Sequence, residues 1–388
     1  MLMDMKIATC LSHSSAHPSW IEIDLEQFRK NLAVIRHRIG ERLLCLPVKA
    51  NAYGHGLVPM SLAAQEMGVD RLAVSCLNEG VELRGAGVHI PILVFGAIHE
   101  DQIDALIDHN LEFSISSHFK ADLVLAKIGD RRCRVHVEVD TGMHRTGVRP
   151  ETALTLFRKL SEQSAFEIAG VYSHLATADE PNNSFVQTQI DLFATLRRQI
   201  ECEKTGGSRS LVWHLANSGG VYFYPDSYFD MVRPGLLCYG LMPIPGNEEG
   251  EIRPIFSLKA RISYFKVVAA DQGVSYGHLY RTKKQTRIVT VPIGYGDGYP
   301  RALFNRASVK IRGKLYPIAG CICMDQFMVD IGDDEAYVGD EVTLIDCEKD
   351  SAISLWHLAR LANVDPREIF CRFNDRIPKI YNRKSSPK

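Results

Sequence analysis

A lysine ends one of the most apolar runs of the chain. Residues 43–48 read LLCLPV, and Lys49 follows directly, ahead of a short loop that contains Gly54 and Gly56. Lysine is rarely buried without a partner. At the end of a core strand it has three interpretations: a structural salt bridge, a phosphate clamp, or a nucleophile that forms an imine with a carbonyl group. Position alone favours the salt bridge.

Other polar residues also follow apolar runs. They are Asp140 and Arg145 in DTGMHRTG, His174 in YSHLATADE, Asn217 and Ser218 in HLANSGG, and Arg233 in MVRPG. If those runs are parallel strands of one barrel, their carboxyl ends meet at one face, which is where such barrels carry active sites. We therefore expect these side chains to gather with Lys49.

The elements that must position these residues alternate between strands and helices. Eight short β-rich runs recur between residues 43 and 240, and amphipathic stretches such as EDQIDALIDH and ETALTLFRKLSEQ separate most of them. This alternation predicts parallel βαβ units, and eight such units predict an α/β fold with a (β/α)8 barrel. A doubly wound open sheet is the structural alternative, because a sequence does not show whether a sheet closes.

The chain becomes β-rich after about residue 250. PIPGNEEGEIRP is typical of a linker, and short β-rich runs with glycine-containing turns follow it, with helices expected near residues 351–361 and 366–372. We predict three parts. These are a loose N-terminal extension over residues 1–18, a barrel domain over residues 19–250 and a β-rich C-terminal domain over residues 251–388.

Composition excludes several classes of function. The 388 residues include 45 Lys and Arg and 46 Asp and Glu, so the net charge is -1 and no surface for nucleic acid or an anionic membrane is predicted. The ten cysteines show no zinc or redox spacing, so we expect reduced thiols and no metal site. No apolar run is long enough to span a bilayer and no signal peptide is recognisable, which predicts a cytoplasmic protein.

Two glycine-containing loops change the interpretation of Lys49. Ser218 and two glycines follow the seventh run, and Gly235 follows Arg233 on the eighth. Barrels frequently bind phosphate with these two loops, because glycine lets backbone N–H groups approach the anion. A strand-end lysine beside a phosphate site predicts a cofactor that carries both an aldehyde and a phosphate. Pyridoxal 5'-phosphate is the obvious candidate.

The motif VKANAYGHG resembles the pyridoxal-phosphate lysine motif of bacterial alanine racemases. The resemblance continues through DTGMHRTG, HLATADE, HLANSGG, MVRPG, VSYG, IGYGDGYPR and CMDQ, in the family's order and across residues 19–388. It implies a pyridoxal-phosphate-binding barrel followed by a β-rich domain. It also implies an isomerase that interconverts L-alanine and D-alanine and supplies D-alanine for peptidoglycan.

The resemblance gives a role to each matching residue. Lys49 would bind the cofactor covalently and act as one catalytic base, and Tyr276 would act as the second base from the partner subunit. Cofactor-binding residues would be Lys49, Tyr53, Asn217, Ser218, Arg233, Gly235 and Leu236. The catalytic tyrosine would be supported by Arg145 and His174, the substrate carboxylate would be held by Arg145 and Met324, and the entrance would be lined by Tyr295 and Arg301.

Two of these roles have physical consequences. A guanidinium has no hydrogen-bond acceptor, so a pyridine nitrogen facing Arg233 must stay unprotonated, which weakens the ring as an electron sink and favours reprotonation at Cα. A tyrosine with a pKa near 10 is a poor base at neutral pH, so the anion of Tyr276 needs cationic neighbours. A second base from another chain implies an obligate head-to-tail homodimer with two composite sites.

Two positions depart from the family pattern. Many relatives carry a carbamylated lysine where this chain has Glu138, and we hypothesise that this carboxylate supports Arg145 directly. Asp375, in RFNDRIPK, occupies a place that is tyrosine in some relatives and contacts the phosphate there. An aspartate beside a phosphate is unfavourable, so we expect this segment to run differently.

Three other functions remain open from the sequence. A racemase for serine or for a broader range of amino acids would share these motifs. A non-catalytic pyridoxal-phosphate-binding protein of the single-barrel kind would lack the domain that carries Tyr276 and Met324. A decarboxylase for basic amino acids would need a carboxylate near the ring nitrogen, where MVRPG offers Arg233.

Overall fold

The computed structural model describes residues 17–203, 211–244, 252–348 and 351–383. The described residues of Arg29–Ala52 and Leu57–Ile252 form one compact unit, and those up to Phe28, in Tyr53–Gly56 and in Arg253–Lys388 form a second. Most of the predicted N-terminal extension and of the predicted linker lies outside the described residues.

The first unit is built on a closed barrel of eight parallel strands. They are Leu43–Pro47, Arg71–Val74, Ile92–Val94, Glu112–Ile115, Cys133–Glu138, Phe166–Tyr172, Val212–His214 and Met231–Val232. Each strand pairs with the next, and the barrel closes where Leu43 pairs with Met231 and Leu44 with Val232. Most of these strands are buried, as expected for parallel strands covered on both faces. The predicted barrel is therefore confirmed, and the open sheet is excluded.

Helices follow most of the barrel strands. Those assigned along this part of the chain are Leu25–Ile39, Leu57–Glu66, Leu77–Gly85, Ile103–Asp108, His118–Ile128, Pro150–Ser161, Ser184–Glu203, Ser218–Phe223 and Gly235–Cys238. The helix Pro150–Ser161 shows why the sequence forms them. Pro150 occupies its first turn, where its fixed φ and missing N–H cost nothing. Ala153, Leu156, Phe157 and Leu160 then bury one face at helical spacing.

The second unit is rich in strands, as predicted. Its six-stranded sheet has the order Lys314–Pro317, Ser308–Ile311, Glu341–Ile345, Phe256–Arg261, Ser19–Asp24 and Lys379–Asn382. A three-stranded sheet has the order Tyr264–Val268, Thr286–Val291 and Phe327–Asp330, and a short hairpin pairs Gly273–Val274 with Tyr280–Arg281. The two predicted helices are Leu355–Ala362 and Pro366–Cys371.

The strand Ser19–Asp24 belongs to this second unit, although the sequence placed the start of the barrel domain at residue 19. It pairs antiparallel with Phe256–Arg261 on one side and parallel with Lys379–Asn382 on the other. Both partners lie more than 200 residues further along the chain, so the local pattern of Ser19–Asp24 carries no information about them. Within the described ranges, none of the helices combines the length and the apolar character needed to cross a membrane.

Candidate active site

Lys49 comes directly after the barrel strand Leu43–Pro47 and begins an unusual turn. The N–H of Val48 still donates to the carbonyl of Ala73 at 2.8 Å, as in the barrel sheet. The four residues that follow Lys49, from Ala50 to Tyr53, have φ between 51° and 56°. None of them is glycine, and left-handed backbone costs an L-residue about 1–2 kcal/mol. The surrounding contacts must therefore hold this turn in place.

Glu79 supplies such a contact within the barrel unit. Its Oε1 accepts the N–H of Ala50 at 2.6 Å, and its Oε2 accepts the N–H of Ser75 at 2.9 Å. Asn51 adds a third bond, since its Oδ1 accepts the N–H of Leu57 at 2.7 Å. Glu79 thus ties the turn after Lys49 to the end of the next barrel strand. Nothing in the local sequence identifies Glu79 as a site residue, because its role depends on a turn that is not predictable locally.

Gly54 and Gly56 complete the loop within the second unit. Gly54 has φ +78° and Gly56 has φ +101°, which L side chains rarely adopt. A Cβ at Gly54 would collide with the carbonyl oxygen of Phe370, and one at Gly56 would collide with the hydroxyl of Tyr381. Glycine is therefore needed at both positions for conformation and for space.

Arg233 follows the last barrel strand and is only 4% exposed. Its Nη1 donates to Nδ1 of His214 at 2.7 Å, and its Nη2 donates to the carbonyls of Ser173 at 2.6 Å and Leu215 at 3.2 Å. None of the bonds that it makes to described residues uses its Nε–H. Because guanidinium offers only donors, Nε–H can be satisfied only by an acceptor.

His174 lies beside Arg233 at the same end of the barrel. Its Nδ1 is 3.4 Å from Nη2 of Arg233. Because guanidinium only donates, a hydrogen bond at this contact places the proton of the imidazole on Nε2. Burial, together with the positive charges of Arg233, Arg145 and Lys49, lowers the pKa of His174 to about 3. His174 is therefore neutral at physiological pH. Its electrostatic neighbours are the strand-end residues that the sequence predicted to gather.

Glu138 is the last residue of the strand Cys133–Glu138 and is buried. Its Oε1 accepts the hydroxyl of Thr146 at 2.6 Å. Burial raises its pKa, while hydrogen bonds from Thr146 and Tyr172 and the charge of Arg145 act in the opposite direction. Among the described residues, no ion pair within 4.0 Å joins it to Arg145, and its hypothesised support of Arg145 stays a prediction. Arg145 itself is exposed, and the two groups interact at longer range.

The loops after the last two barrel strands are bonded to each other. Asn217 caps the helix Ser218–Phe223: its Oδ1 accepts the N–H of Gly220 at 3.0 Å, and its Nδ2 donates to the carbonyl of Leu175 at 3.2 Å. Ser218 accepts the N–H of Leu237 at 3.3 Å. The N–H of Gly235 is bonded to the carbonyl of Arg233 at 3.0 Å. Leu236 follows Gly235 in the same short helical turn.

In the second unit, Tyr276 lies on a strained and exposed turn. It begins the 3-10 turn Tyr276–His278, directly after Ser275, which has φ +64°. The hydroxyl of Ser275 donates to the carbonyl of Cys321 at 2.8 Å and so anchors the turn. Tyr276 is 73% exposed and Met324 is 54% exposed, and both line an open groove of ≈ 730 Å³.

The motifs CMDQ and IGYGDGYPR are joined by backbone bonds in this unit. The N–H of Tyr295 donates to the carbonyl of Cys323 at 3.1 Å, and that of Gly296 to the carbonyl of Met324 at 2.9 Å. The N–H of Met324 makes no hydrogen bond to any other residue that the structure describes. Arg301 and Tyr295 line a second groove of ≈ 390 Å³.

Asp375 points into solvent, which avoids the unfavourable contact that the sequence suggested. Its side chain is 93% exposed and lies 3.7 Å from Nζ of Lys379. The preceding residue, Asn374, donates to the carbonyl of Gly296 at 2.8 Å and holds this segment against the loop of Tyr295. The aspartate therefore takes a conformation in which its charge remains solvated.

Comparisons with known proteins agree over nearly the whole chain. The family model for the N-terminal domain of alanine racemase matches residues 23–243, and that for the C-terminal domain matches residues 255–381. The alanine racemase of Symbiobacterium thermophilum is 39% identical over 372 residues, covering 94% of this chain and 97% of the relative. That of Desulforamulus reducens is 37% identical over 374 residues, covering 94% of this chain and 99% of the relative.

Solved structures show the same likeness. The alanine racemase of Streptomyces lavendulae superposes with a TM-score of 0.88 at 34% identity, covering 95% of this chain and 98% of that one. The alanine racemase of Clostridium difficile 630 has a TM-score of 0.88 at 32% identity, covering 94% and 96%. The resemblance found in the sequence motifs is thereby confirmed: the chain belongs to the alanine racemase family, a family of isomerases.

Proposed function

We propose that this protein interconverts L-alanine and D-alanine in the cytoplasm, with pyridoxal 5'-phosphate as its cofactor, and that its D-alanine supplies peptidoglycan synthesis. The observation that carries the proposal is the presence, at the ends of the first and last barrel strands, of Lys49 and of a buried Arg233 whose Nε–H makes no bond to a described residue. The near full-length similarity to alanine racemases supports the choice of alanine. We assign the cofactor to residues 19–250 and the second catalytic base to residues 251–388.

The donor set of the barrel fits the proposed cofactor. Lys49 would hold it covalently, and Arg233 would direct Nε–H to its ring nitrogen. The phosphate would be held by Tyr53, Ser218, Gly235 and Leu236, with Asn217 shaping the loop. When bound, the cofactor supplies an electron-withdrawing ring that acidifies the α-proton of the substrate.

Arg233 limits how strongly that ring can withdraw electrons. It has no acceptor to offer, so it stabilises only an unprotonated ring nitrogen. Its Nη atoms are already committed to His214, Ser173 and Leu215, and the guanidinium is therefore fixed in orientation. A weaker electron sink favours return of the proton to Cα over protonation at another atom, as racemisation requires.

Two bases on opposite faces of the substrate are proposed to exchange the α-proton. Lys49 serves one face, and Tyr276 of the partner subunit serves the other. Arg145 carries a positive charge that would stabilise the tyrosine anion, while neutral His174 can offer Nε2–H as a donor. Arg145 and the N–H of Met324 would hold the substrate carboxylate, and Tyr295 with Arg301 would line the entrance.

The second unit has the kind of surface that a homodimer needs. Its exposed large hydrophobic side chains include Tyr264, Val267, Tyr276, Leu279 and Met324. Contiguous exposed apolar groups mark interaction surfaces, and Tyr276 and Met324 line the same open groove. Their presence supports a head-to-tail dimer in which each site is composite.

The proposal is tested by incubating the purified protein, with added cofactor, with single L-amino acids in deuterated water. We expect D-alanine whose Cα carries deuterium, and loss of the visible cofactor absorbance on borohydride reduction. Faster turnover of serine would identify a serine racemase, and comparable turnover of many amino acids a broad-range one. Carbon dioxide release would identify a decarboxylase, and cofactor binding without turnover would identify a binding protein.

A further inference from the structure

A chain of hydrogen-bonded side chains crosses the barrel interior and ends on Arg233. Nη1 of Arg233 is 2.7 Å from Nδ1 of His214, whose Nε2 is 2.9 Å from Nδ1 of His136. Nε2 of His136 is 3.1 Å from Oε2 of Glu112. Each member is no more than 4% exposed. We refer to Glu112, His136, His214 and Arg233 as the relay.

The relay runs along the barrel from one end to the other. Glu112 begins its strand, His136 lies within its strand, and His214 ends its strand, directly below the level of Arg233. The carboxyl ends of barrel strands carry the active site, so Glu112 lies at the opposite end. The aromatic ring of Tyr172 stacks on His214 with centroids 4.9 Å apart and lies 5.3 Å from the guanidinium carbon of Arg233. This packing fixes the plane of the His214 ring.

Every proton of the relay can be assigned from the chemistry of its two ends. Arg233 can only donate, so Nδ1 of His214 must accept and its proton must be on Nε2. That proton points at Nδ1 of His136, which must accept in turn, so the proton of His136 is on Nε2. The carboxylate of Glu112 accepts it. The donors therefore all point the same way, from Arg233 to Glu112.

Neither imidazole gains a second proton at physiological pH. Burial lowers the pKa of His136 and of His214 well below the ordinary value, and the positive charges of Arg71 and Arg233 lower both further. A neutral imidazole has one donor and one acceptor nitrogen, which is what each position of the relay needs. The reversed direction is impossible, since it would place an N–H of His214 against an N–H of Arg233.

We propose that Glu112 is a positioning residue that acts through His136 and His214 to hold Arg233 in the orientation that presents Nε–H to the cofactor ring. The orientation toward a ring rests on the proposed function, whereas the relay itself does not. Without an acceptor at residue 112, the N–H of His136 is buried and unpaired. The relay can then relax only by breaking its bond to Arg233 or by rotating an imidazole.

A purely structural role for Glu112 is the competing explanation. Its carboxylate also forms an ion pair with Arg71 and lies 2.8 Å from Nη1 of Arg134. A counter-ion needs the negative charge, whereas the relay needs only an acceptor oxygen. Glu112→Gln keeps the oxygen and removes the charge, and Glu112→Leu removes both. Glu167→Gln is the matched control, because Glu167 also pairs with Arg134, at 3.3 Å, and is not a member of the relay.

The first measurement determines the tautomers in the full-length protein with added cofactor. Histidine labelled with ¹⁵N is observed by NMR, and the resonances are assigned with His136→Gln and His214→Gln. We expect both imidazoles to be neutral and protonated on Nε2 from pH 6 to pH 9. An Nδ1–H tautomer or an imidazolium at either position overturns the proposal, whatever the variants of Glu112 do.

The second measurement compares the variants by kinetics and by the cofactor spectrum. For Glu112→Leu we expect kcat to fall about tenfold with little change in KM, because a buried donor loses its partner while the substrate contacts remain. We expect a shifted cofactor absorbance in that variant. Glu112→Gln should retain both properties, as should Glu167→Gln.

If kcat falls equally in Glu112→Gln and Glu112→Leu, Glu112 acts as a counter-ion and the proposal is overturned. The proposal is also overturned if Glu112→Leu keeps the kcat and the cofactor absorbance of the wild-type protein. If Glu112→Leu does not fold, the proposal is still tested by the histidine tautomers of the wild-type protein and by the kcat of Glu112→Gln. Failure of the proposed function has a different signature. Cofactor then does not bind or no racemisation occurs, while the tautomers of His136 and His214 can still be read.

Discussion

At the scale of single residues, Glu138 has two separable roles: it accepts a hydrogen bond within the fold, and its charge acts on Arg145. Burial raises its pKa, which makes a neutral side chain acceptable to the fold, and an amide oxygen can still accept the hydroxyl of Thr146. We expect Glu138→Gln to lower kcat/KM about tenfold, because the charge of Arg145 loses its carboxylate counterpart. The midpoint of thermal unfolding should change little. Steady-state kinetics and calorimetry measure the two effects.

Glu151→Gln is the control for this substitution, since Glu151 is an exposed residue in the first turn of its helix. It should leave both quantities unchanged. Wild-type kinetics in Glu138→Gln would show that Arg145 needs no carboxylate from this position.

The buried histidines make the fold sensitive to acid. His136, His174 and His214 are neutral in the folded state, with the pKa of His174 lowered to about 3. In the unfolded chain their pKa is near 6.5, so below that pH the unfolded state binds more protons and the free energy of unfolding falls. Each histidine adds a slope of up to about 1.4 kcal/mol per pH unit. Denaturant unfolding between pH 7 and pH 4 should show this loss of stability.

His89→Asn is the control, because His89 is exposed. It should leave the pH dependence unchanged, whereas His174→Gln should reduce the slope. Stability that stays constant from pH 7 to pH 5 would mean that these histidines are not neutral in the folded protein.

At the scale of elements, the left-handed turn after Lys49 depends on one carboxylate. Glu79 accepts the N–H of Ala50 and the N–H of Ser75, and these bonds help to stabilise a strained backbone. In Glu79→Ala both donors lose this acceptor, and Lys49 loses its fixed orientation. We expect kcat to fall about tenfold. Glu79→Gln should be less affected, because its amide oxygen can keep one of the two bonds.

Glu82→Ala is the matched control, since Glu82 lies on the same helix, Leu77–Gly85, and is exposed. It should retain wild-type kcat. If Glu79→Ala also retains wild-type kcat, the other contacts of the turn are sufficient to hold Lys49.

The elements also show where the sequence was informative. The barrel strands were predictable because each is a short apolar run between amphipathic stretches. The strand Ser19–Asp24 was not assignable, because its partners lie at Phe256–Arg261 and Lys379–Asn382 and strand pairing is non-local. The left-handed turn was not predictable either. Asparagine visits positive φ as a single residue, but four L-residues in succession, from Ala50 to Tyr53, do not do so without tertiary contacts.

The site was predictable to a similar degree. The strand-end argument selected Lys49, His174 and Arg233, and the structure has His174 3.4 Å from Arg233. The relay members Glu112, His136 and His214 were not selected as site residues. A signal existed in RVHVE, where polar residues alternate with valines and therefore share one face of a strand. Without the neighbouring strands, however, nothing identifies their partners. The roles of the site residues remain predictions.

At the scale of the whole molecule, the proposed dimer makes a prediction about mixed subunits. Lys49→Ala and Tyr276→Phe should each be inactive as purified proteins. If sites are composite, a hybrid dimer carries one intact site, so an equal mixture should recover about a quarter of wild-type activity after subunit exchange. Exchange is verified independently with subunits that carry different tags.

A mixture of Lys49→Ala with a second Lys49→Ala preparation is the control and should remain inactive. No recovery in the Lys49→Ala and Tyr276→Phe mixture, despite verified exchange, would show that both bases come from one chain.

The relay has a further consequence for hydrogen exchange. The Nε2–H protons of His136 and His214 lie between side chains that are themselves sealed from solvent, and neither imidazole has any exposed surface. Such protons exchange with water only when the barrel opens locally. The rate at which these protons exchange after transfer to heavy water therefore measures how often the barrel interior opens. These two side chains would report on those openings from inside the strands, where backbone amides report only on the sheet.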